Sequence, residues 1–581
     1  MFYLQRLRSA KTLKDVAKIL GFEARSLAYI LYKMPDAAKY ASFEVPKRNG
    51  GARQIKAPSD QLKLLQRRLA NVLYICLEDI AKEGDKRRSF AHGFERQRSI
   101  ITNASLHKRR RYVLNLDLED FFPSFNFGRV RGFFIKDKHF ALHEKAATII
   151  AQIACHDNEL PQGSPVSPII SNLIGHVLDV RLARLAKTHK CTYSRYADDI
   201  TFSTNRKEFP SELAAPVPEM PSQWQLGAKL LAKIENSGFR INGKKTRMQY
   251  RGSRQVVTGL LVNEKVNIRP EYYRTARAIC HALFATGTCY RNVPGNLVED
   301  DHEAEFVKVP INHISEVEGI LGHIHHARGN PAWRHYTGKE KPPSPLKLYR
   351  DFLFYKNFIA LQAPLILPEG KTDSIYLLAA IKTLTKFHPQ LGSVVDGKFS
   401  YSVRFMTYTR TVQDVLDIGN GTGAFTKLIA TYKNMLKGFG HAPLGHPVIL
   451  VVDNDDGAKS VFKTAKQIGG PEISHTSTEP FYHLCKNLYL IKTPEKKGKS
   501  AKSYIEELFD RKTLATKIGD KKFDPNKAHD AEDMYGKLVF AEKVIKPNIK
   551  NINFSGFEPM LDRIVAVLED YKVRATNDGS P

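Results

Sequence analysis

The sequence predicts an α+β unit followed by an α/β unit built on a parallel sheet, and three observations support this. An acid pair, Asp198-Asp199, sits at a turn between the strand-like runs Thr192–Arg195 and Ile200–Ser203, which reads as a β-hairpin tip. Farther along, the apolar runs Pro364–Leu367 and His446–Val452 each end in acids and lead toward helical patterns. Strands of that kind form a parallel sheet with its site at the strand C-termini. The charge is also divided: of a net +29, residues 1–350 hold 57 basic and 34 acidic side chains, against 32 and 26 in residues 351–581. The excess belongs to the first unit, where a basic channel would neutralise phosphates. With 581 residues, two to four domains are expected.

From the N-terminus, Leu13–Gly21 has apolar residues at helical spacing with Gly21 as a stop, and a second helix is expected through Leu27–Tyr32. Val45–Pro58 turns at Asn49-Gly50 and carries basic side chains on both arms, so it reads as a hairpin. The run Val113–Leu118 is an apolar strand holding one carboxylate, Asp117, 81 residues before Asp198. Pro161–Pro168 is a stiff turn ahead of an apolar helical run. Adjacent carboxylates repel, and hard oxygen ligands suit Mg²⁺. One carboxylate on a strand and a pair on a neighbouring hairpin can hold two ions about 3.5–4 Å apart. A solvated Asp-Asp turn is the bland alternative for the pair taken alone.

The Asp117 strand, the Pro161-Gln162-Gly163 turn and the Tyr196-Ala197-Asp198-Asp199 hairpin resemble, in order, the palm of reverse transcriptases. Two further elements, Asn103-Ala104-Ser105-Leu106-His107 and Val257-Thr258-Gly259, resemble features of the retron branch of that family. The resemblance covers roughly residues 10–340 and implies a right-hand polymerase: a helical segment over 1–40, fingers and palm over 41–262, and a helical thumb over 263–345. It implies that Asp117 and Asp198 bind two Mg²⁺ ions, with Asp199 and the Leu118 carbonyl completing the site. Lys47 and Arg53 would hold the triphosphate, Phe122 would exclude a ribose 2′-hydroxyl, and Gln162 would contact the nucleotide. Asn103, His107, Val257, Thr258 and Gly259 would contact RNA. Lys244 and Lys245 fall where the family can donate a proton to pyrophosphate, although a basic turn is also ordinary surface.

Residues 346–362 read as a linker and connecting helix after the Pro-rich stretch Lys339–Pro345. Beyond it, Glu369 on one strand and Asp453-Asn454-Asp455 on another resemble the Toprim domain of topoisomerases, primases and OLD-type nucleases, expected over 363–495 with an extension over 496–581. That resemblance implies Mg²⁺ or Mn²⁺ held by Glu369, Asp453 and Asp455, extended by Asp373 or Asp456. The segment Lys496–Leu508 offers Lys and Glu and resembles a late element of OLD-type Toprims. The glycine-rich Asp417–Ala424 imitates a cofactor loop, but it lies inside the Toprim frame and reads as a strand–turn–helix connection.

Six scattered cysteines without Cys-x-x-Cys spacing argue against zinc or a disulfide framework. The absence of a signal-peptide pattern or long apolar run leads us to expect a soluble, cytoplasmic protein with no membrane partner. The combined expectation is a retron reverse transcriptase that uses dNTPs to copy a structured non-coding RNA into branched single-stranded DNA. It would keep that nucleic acid bound, carry a Toprim nuclease effector and act in anti-phage defence; self-association is left open. The rival readings are a group II intron-type maturase and a Toprim that only scaffolds.

Overall fold

The computed structural model describes residues 2–46, 51–82, 89–218, 220–294, 306–328, 342–419, 421–496, 501–525 and 533–577. They form two compact units, 1–269 and 270–581. The division falls at Pro270, so the helices expected as a thumb pack with the C-terminal unit.

In the first unit, helix Leu13–Leu20 starts at a Thr12 capping box and stops at Gly21, whose φ of 66° suits the left-handed C-cap. The second helix runs from Ala24 to Ala28 and loosens into a π-turn over Tyr29–Lys33. Strands Tyr40–Pro46 and Ala52–Pro58 pair as the expected hairpin. Its tip, including Lys47, lies outside the described residues.

The central sheet has four antiparallel strands in the order Thr192–Tyr196, Asp199–Thr204, Tyr112–Asp117, Arg247–Tyr250. Helices Asp60–Lys82, Glu144–Ala154 and Ser167–Thr188 contribute to one apolar core with this sheet, in which Leu114, Leu116, Ile200 and Phe202 are buried. Burial of such side chains, at roughly 1.5–3 kcal/mol each, fixes which strand face turns inward.

In the second unit, helices Pro270–Thr286 and Ile314–Arg328 precede helix Ser344–Phe354. The last of these lies in the stretch read as a linker and connecting helix, and its Tyr349, Phe352 and Phe354 are buried. A five-stranded sheet follows, ordered Arg404–Phe405, Leu365–Pro368, Val448–Val452, Leu488–Lys492, Tyr482–Cys485, with only the last pair antiparallel. Val448–Val452 is buried throughout, as a central parallel strand requires. The C-terminal helix Glu558–Asn577 supplies Met560, Leu561 and Ile564 to the core that contains Tyr489 and Ile491 of the sheet. Among the described residues no helix is long and apolar enough to cross a membrane.

Candidate functional site

In the first unit, Tyr196 pairs with Asp199, leaving Ala197-Asp198 as a two-residue turn. Ala197 has φ 56°, a region a non-glycine residue adopts at a cost. The Leu118 N–H donates to the Asp198 carbonyl at 3.0 Å, which ties the tip to the end of the Asp117 strand. In this register Asp117 stands directly opposite Asp199. Like charges in that position destabilise a sheet, so structure alone does not account for the pair.

Burial, then the Asp117 charge, raises the Asp198 carboxyl above its ordinary range. Desolvation by the surrounding chain, then repulsion from Asp198 and Asp117, pushes Asp199 up to about 7, although its surface is exposed. Lys245 compensates Asp117, its Nζ lying 3.0 Å from each carboxylate oxygen. An all-oxygen donor set whose repulsion is only partly compensated fits a hard divalent cation. As the side chains stand, no three acids, histidines or cysteines among the described residues form a finished metal cage. The carboxylates would have to turn toward an ion, and Lys245 would have to give way.

The other predicted residues divide by placement. Arg53 lies at the exposed end of strand Ala52–Pro58, and its charge favours the ionised form of Asp198. The Gln162 carbonyl accepts the Lys56 N–H at 2.8 Å, and a Cβ on Gly163 would meet the Lys56 carbonyl at 2.7 Å, so the Pro-Gln-Gly turn lies against the basic hairpin. Phe122 is half-buried, edge-on to Phe121 at 5.4 Å and near Phe94 at 6.0 Å. Leu118 has an all-carbon side chain, 2% exposed, and so could offer an ion only its backbone carbonyl. Thr258 and Gly259, with φ of 47° and 82°, line a cavity of about 400 Å³ together with Asp117, Asp199 and Arg247.

Asn103, His107 and Val257 are corrections: all three are buried, so they do not present a surface to RNA. The His107 ring bonds Ser203 Oγ at 2.7 Å and Ser194 Oγ at 2.8 Å, and Ser194 donates to Asn103 Oδ1 at 2.6 Å. These side chains join the helix before the Asp117 strand to both strands of the acid hairpin. Sequence reasoning also missed the support beneath the hairpin. The Arg195 guanidinium donates to the Ala197 carbonyl at 3.0 Å and is held by Asp179, both side chains being buried. The segment through Gly93 lies so close that a Cβ there would meet the Ala197 N at 2.7 Å. No local pattern marks Arg195 and Asp179, which are paired only by the fold.

A second acid cluster sits at the strand C-termini of the parallel sheet. Glu369 follows strand Leu365–Pro368, and its carbonyl accepts the Gly421 N–H at 3.1 Å. Burial, then Asp455, pushes its carboxyl up to about 7, and its Oε2 is buried without a hydrogen-bond partner. Asp453, at the end of strand Val448–Val452, is pushed up to about 8 by burial, then by Asp373 and Glu506. Asp373 caps its own helix, accepting the Gly370 N–H at 2.8 Å, and burial raises its carboxyl as well. Asp455 accepts the Ala458 N–H at 3.3 Å. The orphaned Glu369 oxygen and the crowded oxygen donors fit a divalent ion here too.

Asp456 stands apart from the other acids. Its oxygens are engaged by Lys459 at 2.8 Å and Lys502 at 2.7 Å, and these bonds hold its exposed carboxyl down at about 2. In this structure it is therefore the partner of two lysines, which would have to give way to an ion as Lys245 would at Asp117. Two residues left out of the predicted site join it. Glu506 is 2% exposed, and Lys537 bonds it at 3.0 Å. Burial alone would lower the Lys537 ammonium, but Glu506, Asp453 and Asp373 raise it. Asn454, fully buried, anchors the acid loop by donating its side-chain amide to the His475 and Ala501 carbonyls at 3.0 and 2.8 Å.

Residues 45–268 match the family described as Reverse transcriptase (RNA-dependent DNA polymerase). The chain is 35% identical to the Retron Mx65 reverse transcriptase of Myxococcus xanthus over 288 residues, 47% of this chain and 62% of that relative. It therefore spans about three fifths of that relative's length. It is 34% identical to the Retron Ec86 reverse transcriptase of Escherichia coli over 275 residues, 47% of this chain and 78% of that relative. Among solved structures, apo telomerase from Candida tropicalis aligns at 12% identity with a TM-score of 0.30, covering 69% of this chain and 64% of that one. That score is too low to bear on the fold.

Proposed function

The chain belongs to the retron reverse transcriptases, and from that membership we propose that it is an RNA-directed DNA polymerase copying a structured non-coding RNA into branched single-stranded DNA. The observation that carries this reading is Asp117 directly opposite Asp199, with Asp198 on the intervening turn. Two Mg²⁺ ions bound there would activate the primer hydroxyl and neutralise the triphosphate in an in-line displacement. The chain's own part would be to supply the oxygen ligands: Asp117 and Asp198, with Asp199 and the Leu118 carbonyl in support. Lys47 and Arg53 hold the triphosphate, Gln162 positions the nucleotide, and Phe122 lies under the sugar. Thr258 and Gly259 lie where bound nucleic acid would pass.

The C-terminal acid cluster supports a Toprim nuclease with Glu369, Asp453 and Asp455 as ligands, extended by Asp373 or Asp456; its role as an anti-phage effector is proposed from the family resemblance. Glu506 and Lys537 belong to the same site, with Lys537 placed to steady negative charge on a phosphate. The polymerase reading is tested by Asp198→Asn. Primer extension on an RNA template should fall by at least about 10³-fold, because the ions supply most of the transition-state stabilisation. RNA binding, which rests on the basic surface, should stay nearly intact. Extension near the wild-type rate would remove the assignment.

A further inference from the structure

The contact between Lys245 and Asp117 is built into the fold. The short 3-10 turn Gly243–Lys245 is pinned to the end of the Asp117 strand at two points: the Asn242 N–H donates to the Asp117 carbonyl at 2.9 Å, and the Glu119 N–H donates to the Arg240 carbonyl at 2.9 Å. Leu118 and Ile241 form a bridge between them. The turn therefore fixes where Lys245 leaves the backbone, and its half-exposed side chain sets the ammonium 3.0 Å from both oxygens of a carboxylate whose side chain is 10% exposed. An ammonium that engages both oxygens takes the place a divalent ion would need. Removing it would leave Asp117 opposite Asp199 without its bonded cation, with only the more remote charges of Arg247, felt by Asp199, and Arg53, felt by Asp198, to offset the repulsion.

Resting on the reading that Asp117 binds divalent ions, we propose that Lys245 is a positioning residue, the resident counter-ion of the polymerase site before metal arrives. It keeps the Asp117 carboxylate in place against Asp199, and an incoming ion must displace it. Metal affinity is thus set partly by competition with a side chain of the same protein. This differs from a role in proton donation during the reaction, because it acts on the enzyme without nucleotide.

The test uses the full chain carrying Asp453→Ala and Asp455→Ala, so that the C-terminal acids contribute little to the ion count. Mn²⁺ binding is followed by electron paramagnetic resonance, and thermal melting is recorded in EDTA and in Mn²⁺. Adding Lys245→Met should tighten Mn²⁺ binding several-fold, lower the melting temperature in EDTA, and restore it with Mn²⁺. Lys245→Arg, which keeps the cation, should bind Mn²⁺ like the parent. The proposal is overturned if Lys245→Met binds Mn²⁺ no tighter than the parent, or if Lys245→Arg tightens it equally. Failure of the parent and of Lys245→Met alike to bind Mn²⁺ at this site would overturn the underlying metal reading as well.

Discussion

Arg195 grips Asp179 with two parallel hydrogen bonds, Nε to Oδ1 at 2.7 Å and Nη2 to Oδ2 at 2.8 Å, and both side chains are sealed from solvent. Tyr193 donates to the same carboxylate at 2.7 Å, while the free arm of Arg195 reaches the Ala197 carbonyl. A buried pair of this kind holds the strained turn that presents Asp198. Arg195→Met would leave Asp179 buried without its cation, with only the Tyr193 hydroxyl donating to it, so a loss of about 3–5 kcal/mol is expected in urea denaturation. Arg195→Met with Asp179→Leu should recover part of that loss, because the uncompensated charge is gone. A single variant within about 1 kcal/mol of wild type would show that the pair does not support the hairpin.

His107 should make stability depend on pH. Burial, then the charges of Arg110 and His92, pushes its folded-state value down to about 3 from an ordinary 6.5. The unfolded chain therefore binds the proton more readily, and the contribution is fully present above about pH 6.5. It declines as pH falls from 6.5 toward 3, by up to about 1.4 kcal/mol per pH unit. In His107→Gln that part of the slope should be missing between pH 6.5 and 4.5. An unchanged slope would place the acid sensitivity in other groups.

Phe122→Ala should admit ribonucleotides. Phe122 keeps its ring against Phe121 and Phe94, and its removal opens space where the sugar is proposed to lie. The ratio of kcat/KM for dNTP over rNTP is expected to fall at least tenfold, about 1.4 kcal/mol of discrimination. Unchanged sugar selectivity would leave Phe122 as a packing residue.

For the C-terminal cluster, Asp453→Ala should leave primer extension intact and eliminate nuclease activity or cellular toxicity. Lys537→Met should weaken the same activity without touching polymerisation, since Lys537 bonds Glu506 and feels the charge of Asp453. Toxicity that survives Asp453→Ala but is lost in Asp198→Asn would move the effector role to the polymerase. Persistence of full nuclease activity in both C-terminal variants would leave the acids as scaffold.

What the sequence determined by itself was local in origin. Turn chemistry and alternation were enough to place the Tyr196–Asp199 hairpin, and an unbroken apolar run was enough for strand Val448–Val452 and the acids at its end. Only the tertiary structure decided how distant pieces meet, because register and burial depend on contacts between residues far apart in the chain. Asp117 and Asp199 became opposed only once their strands paired. The same packing turned Asn103 and His107 inward onto Ser194 and Ser203, where a motif match had suggested a surface. It also joined Asp456 to Lys502, 46 residues on, and brought Lys537, 84 residues beyond Asp453, to Glu506. A carboxylate's partner is chosen by the nearest charge in space, and nothing in its immediate sequence records that distance.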